Sequence, residues 1–233
     1  MNTVRDNLLT IKNTIQEIAK KCERDPNTIE LIAVSKTKPV TLIKQAIDAG
    51  QLSFGENYVQ EGVEKIQYFK QTLPNTLLTW HFIGPLQSNK SKLVAEHFDW
   101  MHTIDRFKIA QRLNDQRPAN MENLNVLIQV NISKEASKSG VDPEQVADLA
   151  KQIITLPNLN LRGLMAIPEI ENDFDKQLNV FNKMHELLRS LQTDYPFMDT
   201  LSMGMSGDMQ AAIVAGSTMV RIGTAIFGAR QYL

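Results

Sequence analysis

Eight short apolar runs, the first seven each followed by a segment of helical periodicity, divide this 233-residue chain. The runs are IELIAVS (29–35), LSFGEN (52–57), TWHFIG (79–84), DWMHTID (99–105), NVLIQVNI (125–132), LRGLMAI (161–167), TLSMGMS (200–206) and MVRIGTAIFG (219–228). Several are continuously apolar, as parallel strands covered on both faces are. Between them lie helical segments such as TLIKQAIDAG (41–50), closed by Gly50, and YVQEGVEKIQYF (58–69). Another is PEQVADLAKQII (143–154), where Pro143 suits a first helical turn. Eight strand–helix units in a chain near the typical ~250 residues predict an α/β fold of the (β/α)8, or TIM-barrel, type. An open doubly wound sheet is the rival, but no G-x-G-x-x-G follows the first strand. Ahead of the rhythm, Val4, Leu8, Ile11, Ile15, Ile18 and Cys22 recur alternately four and three apart. That spacing predicts an extra N-terminal amphipathic helix, with Cys22 as a buried thiol in its stripe. No linker or low-complexity stretch interrupts the chain, so residues 1–233 are expected to form one domain.

Composition narrows the function classes. The net charge of −1 gives no electrostatic reason to expect nucleic acid or acidic lipid as a partner. A single cysteine rules out a disulfide within the chain and fits a reducing compartment. The opening MNTVRDNLLTIKN has no apolar core of a secretory signal, and no stretch approaches the ~20 apolar residues that span a bilayer. The expectation is a cytoplasmic protein, and the largely polar outer helix faces point to a monomer.

A barrel displays its chemistry at the C-terminal ends of its strands, often with phosphate in the loops after strands seven and eight. The first strand ends on Lys36, the second on Glu56-Asn57, and the third carries His81 and runs into GPLQSNK. Strand seven ends in Gly204-Met205-Ser206-Gly207-Asp208, and the last contains Arg221-Ile222-Gly223-Thr224. Ser206 and Asp208 precede a helix at 209–216, whose free N–H groups would attract a phosphate, although either could simply cap it. Gly207 and Gly223 leave room for a ligand against the backbone, and Thr224 adds a hydroxyl. Arg221 lies within an apolar run and needs acceptors, either a ligand or an internal carboxylate such as Glu56 or Asp208.

Lys36 completes the set. Most strand-end lysines are solvated, but burial against an apolar wall disfavours the charged ammonium and leaves an amine able to form a Schiff base with a carbonyl. A phosphorylated aldehyde would use all these parts together: phosphate on strands seven and eight, amine on strand one, Arg221 between. Pyridoxal 5'-phosphate is such a molecule.

The segments AVSKTKP (33–39), FGENYVQE (54–61), WHFIGPLQSNK (80–90), GLMAIP (163–168), GMSGDM (204–209) and RIGTAIFGAR (221–230) resemble the pyridoxal phosphate homeostasis protein family. These are single-domain relatives of the N-terminal barrel of alanine racemase, and the resemblance extends over essentially the whole chain. It implies that Lys36 carries the cofactor as an internal aldimine. It further implies that Arg221 faces the pyridine nitrogen and that Ser206, Gly223 and Thr224 hold the phosphate. Asn57 and His81 match family segments near the cofactor.

In the racemases a tyrosine from an extra C-terminal domain provides a second base, and here the chain ends at Leu233 soon after the last strand. Of Tyr58, Tyr68, Tyr195 and Tyr232, only Tyr58 follows a strand's C-terminal end, where it is expected to pack at the start of the following helix. A permanently charged arginine at the ring nitrogen also weakens carbanion stabilisation. The expectation is therefore a protein that is not an enzyme. It would hold pyridoxal phosphate, serve its intracellular homeostasis or delivery to apo-enzymes that depend on it, and affect amino-acid metabolism indirectly. A weak amino-acid racemase, or a Schiff-base aldolase acting on a sugar phosphate, is the alternative. Lys38, Lys90, Lys92 and Lys138 are candidate secondary acceptors during release, weighed against ordinary solvated lysines.

Overall fold

The computed structural model describes residues 3–133 and 139–229, which places Lys138 and Tyr232 outside the described residues. Eight parallel strands close into a barrel in sequence order: β1 (Glu30–Val34), β2 (Ser53–Glu56), β3 (Thr79–Phe82), β4 (Trp100–Ile104), β5 (Leu124–Gln129), β6 (Leu159–Met165), β7 (Thr200–Ser202) and β8 (Met219–Ile222). β8 closes on β1 in the register Glu30 to Met219 and Ile32 to Arg221.

Each strand sends alternate residues to opposite faces. Leu31, Ala33, Phe54, Trp80, Phe82, Met101, Val126, Leu201 and Val220 face outward into the main core beneath the helices. Phe54 lies 5.4 Å from Trp80, and Phe82 meets Phe98 edge-on at 5.4 Å. Inside the barrel a separate, smaller cluster contains Ile32, Trp100, Leu127, Met165 and Met219. This double burial explains the continuously apolar runs in the sequence.

The helices are α1 (Val4–Lys21), α2 (Val40–Asp48), α3 (Val59–Thr72), α4 (Ser91–His97), α5 (Phe107–Gln116), α6 (Val146–Ile153), α7 (Phe174–Gln192), α8 (Met209–Val214) and α9 (Thr224–Phe227). α1 starts with a reciprocal cap in which Thr3 Oγ1 accepts from the Asp6 N–H at 3.1 Å and Asp6 Oδ2 accepts from the Thr3 N–H at 3.0 Å. Its buried Val4, Leu8, Ile15 and Ile18 pack against α2, α8 and α9. Because α9 has only four residues, α1 fills the outer position that a longer eighth helix would occupy. Cys22 caps this helix and is half-buried, its Sγ donating to the Ile18 carbonyl at 3.2 Å.

Several expected boundaries shift. The last strand stops at Ile222, where the chain turns into α9 instead of running extended to 228. Pro143 opens a short 3-10 turn before α6. Gly50 adopts a φ of 80°, the left-handed conformation that ends α2.

Candidate functional site

Strand parity builds the site. Val34 at the end of the first strand and Lys36 after it, Asn57 after the second, Ile83 after the third, Ile167 after the sixth, Arg221 on the eighth and Gly223 just after it all fall on the inward face. They line a cavity of about 300 Å³ at the C-terminal mouth, together with Met205, Ser206 and Thr224. A second lobe of about 270 Å³ shares Asn57, Ile83 and Ile167 and extends to Thr103 and Gln129. Six of the seven residues singled out from the sequence therefore meet at one place: Lys36, Asn57, Ser206, Arg221, Gly223 and Thr224.

Lys36 is half-buried, and its two chain neighbours are fastened. On one side the Ser35 hydroxyl donates to Glu56 at 2.6 Å, and its carbonyl accepts from Lys65 Nζ at 2.7 Å. On the other, the Thr37 N–H donates to Glu61 at 2.6 Å, and Thr37 sits at φ 61°, a left-handed conformation that costs a non-glycine residue about 1 kcal/mol or more. Lys65 ties the clamp together, pairing with Glu56 at 2.8 Å and Glu61 at 2.6 Å. Burial raises the Glu56 carboxyl above its usual range, and the Lys65 charge beside it opposes that rise. Sequence reading missed Lys65. Its signal was the Glu61–Lys65 spacing of four on a helix whose apolar face points at the barrel.

Arg221 is buried, and neither carboxylate expected as its partner pairs with it. Glu56 faces outward because residues 54 and 56 share the outer side of β2. Asp208 instead accepts from the Met205 N–H at 2.6 Å, closing the 205–208 loop, and makes no side-chain hydrogen bond to cap α8. The guanidinium donates to Ser202 Oγ at 2.7 Å and to the Ala166 carbonyl at 3.0 Å. Burial lowers its pKa to about 10, countered by the charge of Asp208, so it remains a cation at neutral pH. The same burial raises the Asp208 carboxyl.

On the other wall, a Cβ at Gly84 would come within 2.1 Å of the Asn57 carbonyl oxygen, so only glycine lets that backbone hold Asn57 at the rim. The side-chain Oδ1 of Asn57 is buried without a hydrogen-bond partner. Among the described residues, no hydrogen bond occupies the hydroxyls of Ser206 or Thr224. Gly223 packs tightly, its would-be Cβ 3.2 Å from the Val34 carbonyl, whereas Gly207 faces open space.

The remaining expected residues lie elsewhere. His81 is fully buried and does not line the cavity: it belongs to the interior layer one step below Ile83 on the same face of β3. Its Nδ1 meets Nε2 of His102 at 3.0 Å. Tyr58 does not pack as expected but stands 53% exposed at the N-cap of α3. Lys38 is engaged by the carbonyls of Gly228 and Ala229, at 2.8 and 2.9 Å. Lys92 is exposed near Glu96. Lys90 lines a groove of about 490 Å³ with Asn57 and Tyr58, next to the cavity.

The donor set suits a flat, anionic aldehyde such as the pyridoxal 5'-phosphate implied by the sequence. It offers one primary amine, one permanent cation, two uncommitted hydroxyls, an amide oxygen lacking a partner, and apolar walls at Val34, Ile83 and Ile167. Among the described residues, no group of three or more His, Cys, Asp and Glu side chains could hold a metal, and no helix is long and apolar enough to cross a membrane.

The chain is similar to known proteins over essentially its whole length. Residues 7–231 match the family model "Alanine racemase, N-terminal domain". The chain is 61% identical over 232 residues to the pyridoxal phosphate homeostasis protein of Escherichia coli K12, covering 100% of this chain and 99% of the relative. It is 60% identical to the protein of the same name from Vibrio alginolyticus, covering all of both. PipY of Synechococcus elongatus, solved with PLP bound, superposes with a TM-score of 0.79 at 36% identity, over 92% of this chain and 100% of that one. An alanine racemase of Clostridium difficile shares the fold at a TM-score of 0.74 and 16% identity, matching 97% of this chain but 59% of the racemase.

Proposed function

Because this chain belongs to the alanine racemase N-terminal-domain family and, within it, to the pyridoxal phosphate homeostasis proteins, we propose that it binds pyridoxal 5'-phosphate at Lys36, retains it in the barrel mouth and gives it up again without turning over amino acids. The observation that carries this reading is the convergence on one cavity of the Lys36 amine, the Arg221 guanidinium and the hydroxyls of Ser206 and Thr224. When bound, the cofactor supplies an aldehyde that condenses reversibly with a primary amine, releasing one water and taking it back on hydrolysis.

Lys36 provides that amine, aimed by the clamp on Ser35 and Thr37. Ser206 and Thr224 bind the phosphate by their hydroxyls, and Gly223 leaves room for it against the backbone. Arg221 faces the ring nitrogen, and a fixed cation there opposes protonation of that nitrogen. Val34, Ile83 and Ile167 shield the ring from water, and Asn57 satisfies its unpaired amide oxygen at the rim. These groups anchor the ligand. Among the described residues, none of the other cavity-lining side chains is an acid or base suited to protonating an α-carbon at neutral pH. The protein thus buffers a reactive aldehyde in the cytoplasm, as a monomer, and passes it to apo-enzymes that require it.

The test is a spectral titration with pyridoxal 5'-phosphate, run beside a racemisation assay. The wild type is expected to develop a visible band that borohydride abolishes, Lys36→Ala to show none while remaining folded, and neither to racemise alanine at ordinary enzyme rates of ~1–10³ per second. An unchanged band in Lys36→Ala, or turnover at such rates, overturns the reading.

A further inference from the structure

Below the cavity, a line of polar side chains crosses the otherwise apolar interior of the barrel. Arg221 Nη1 donates to Ser202 Oγ at 2.7 Å, and that oxygen lies 2.9 Å from Nδ1 of His102. Nε2 of His102 is 3.0 Å from Nδ1 of His81. Nε2 of His81, which has no hydrogen-bond partner, faces the Glu30 carboxylate at 3.8 Å, at the N-terminal end of β1. Ser202, His102 and His81 are each 0% exposed.

The direction of this line follows from donor and acceptor chemistry. A guanidinium only donates, so Ser202 Oγ must accept from Arg221. Among the described residues, the one acceptor within reach of the Ser202 hydroxyl proton is Nδ1 of His102. That nitrogen therefore carries no proton, and His102 is the Nε2–H tautomer. Its N–H donates to Nδ1 of His81, which makes His81 an Nε2–H tautomer as well and points its proton at Glu30. The reverse order would orphan the Ser202 proton in the core and set the lone pair of His81 against a carboxylate. Both rings are neutral: burial lowers the pKa of His81 to about 3, and burial, with the neighbouring His81 ring and the Arg221 charge, holds His102 well below its ordinary value.

We propose that Ser202, His102 and His81 form a one-way hydrogen-bonded donor chain that positions Arg221, with the Glu30 carboxylate 3.8 Å beyond its far end acting electrostatically, so that a carboxylate at one end of the barrel helps set the guanidinium's orientation at the other. Successive bonds of one polarity reinforce each other, and the terminal carboxylate polarises the whole line toward itself. Arg221 has no direct carboxylate partner among the described residues, so this line and the Ala166 carbonyl are what aim it. The four are positioning residues, and their effect on the ligand rests on the reading that the cofactor's ring meets Arg221.

Two measurements test the proposal. Nitrogen-15 NMR of the histidines, without added cofactor, is expected to find His81 and His102 neutral and Nε2-protonated at pH 7; an Nδ1–H form or an imidazolium on either ring overturns it. The second uses Glu30→Gln, a change at a partly exposed side chain. Loaded with pyridoxal 5'-phosphate and trapped with hydroxylamine, the variant is expected to release cofactor 3- to 10-fold faster than wild type, with a displaced visible band. Borohydride should still attach the ligand to Lys36. Release and spectrum within twofold of wild type sink the chain. If wild type itself shows no attachment at Lys36, the functional reading fails instead, and the histidine tautomers still decide the chain on their own.

Discussion

The two faces of the barrel wall are built on opposite chemistries. Outward, apart from the Ser35–Glu56–Lys65 cluster, Leu31, Phe54, Trp80, Phe82, Met101 and Val220 present apolar side chains to the helices. Inward, a handful of apolar residues share the space with His81, His102, Gln129, Ser202 and Arg221, all buried. The outer face supplies the hydrophobic driving force, whereas the inner face gives up part of it to hold a polar line and an arginine under the cavity. Strand parity divides the wall: of two adjacent residues, Leu201 packs into the outer core while Ser202 bonds to Arg221 and His102 inside the barrel.

The largest effects should come from breaking the outer face. Phe82→Ala removes a fully buried ring that meets Phe98, and is expected to cost about 3–5 kcal/mol in urea unfolding. Lys65→Met should come close, about 3 kcal/mol or more, because it strands the buried Glu56 without its countercharge. That variant should also weaken cofactor binding, which Phe82→Ala, if still folded, should not.

The inner face should reveal itself through pH. The His81 folded pKa of about 3 lies below the unfolded value of 6.5, so between those values the unfolded chain binds more protons. Stability should therefore fall as pH drops below 6.5, by about 1.4 kcal/mol per pH unit for this one residue. Unfolding midpoints measured from pH 7 to pH 5 check this, and His81→Phe should flatten the slope. Glu56 carries the opposite sign. Its folded pKa is raised, so its contribution is complete below the ordinary carboxylate value and is lost as pH rises through the raised one, a decline that Glu56→Gln should remove. Smallest of all, Lys44→Ala breaks an exposed helix pair with Asp48 and should change stability by less than about 0.5 kcal/mol.

The same division explains what could be read from the sequence. Outward residues announce themselves as apolar runs with helical segments between them, so the eight units and the barrel were legible. That Lys36, Asn57, Arg221 and Gly223 share one cavity was legible as well, because each lies at or beyond the C-terminal end of a strand. His81 stands two residues lower on the same face as Ile83, and that one layer separates a buried side chain bonded to His102 from a cavity wall. Ser202 and His102 carry no signal within their own short strands, since their contact spans the barrel between residues 100 apart in the chain. Lys65 was hidden for a similar reason, as its task depends on Glu56 and Ser35 arriving from two other strand ends.

Where the amine and the phosphate meet is tested most directly by a crystal structure of the protein grown with pyridoxal 5'-phosphate. Continuous density from Lys36 Nζ into the ligand, with its phosphate among Ser206, Gly223 and Thr224 and its ring nitrogen toward Arg221, is the expected result. Density attached to another lysine, or a phosphate seated away from the ends of β7 and β8, would contradict it.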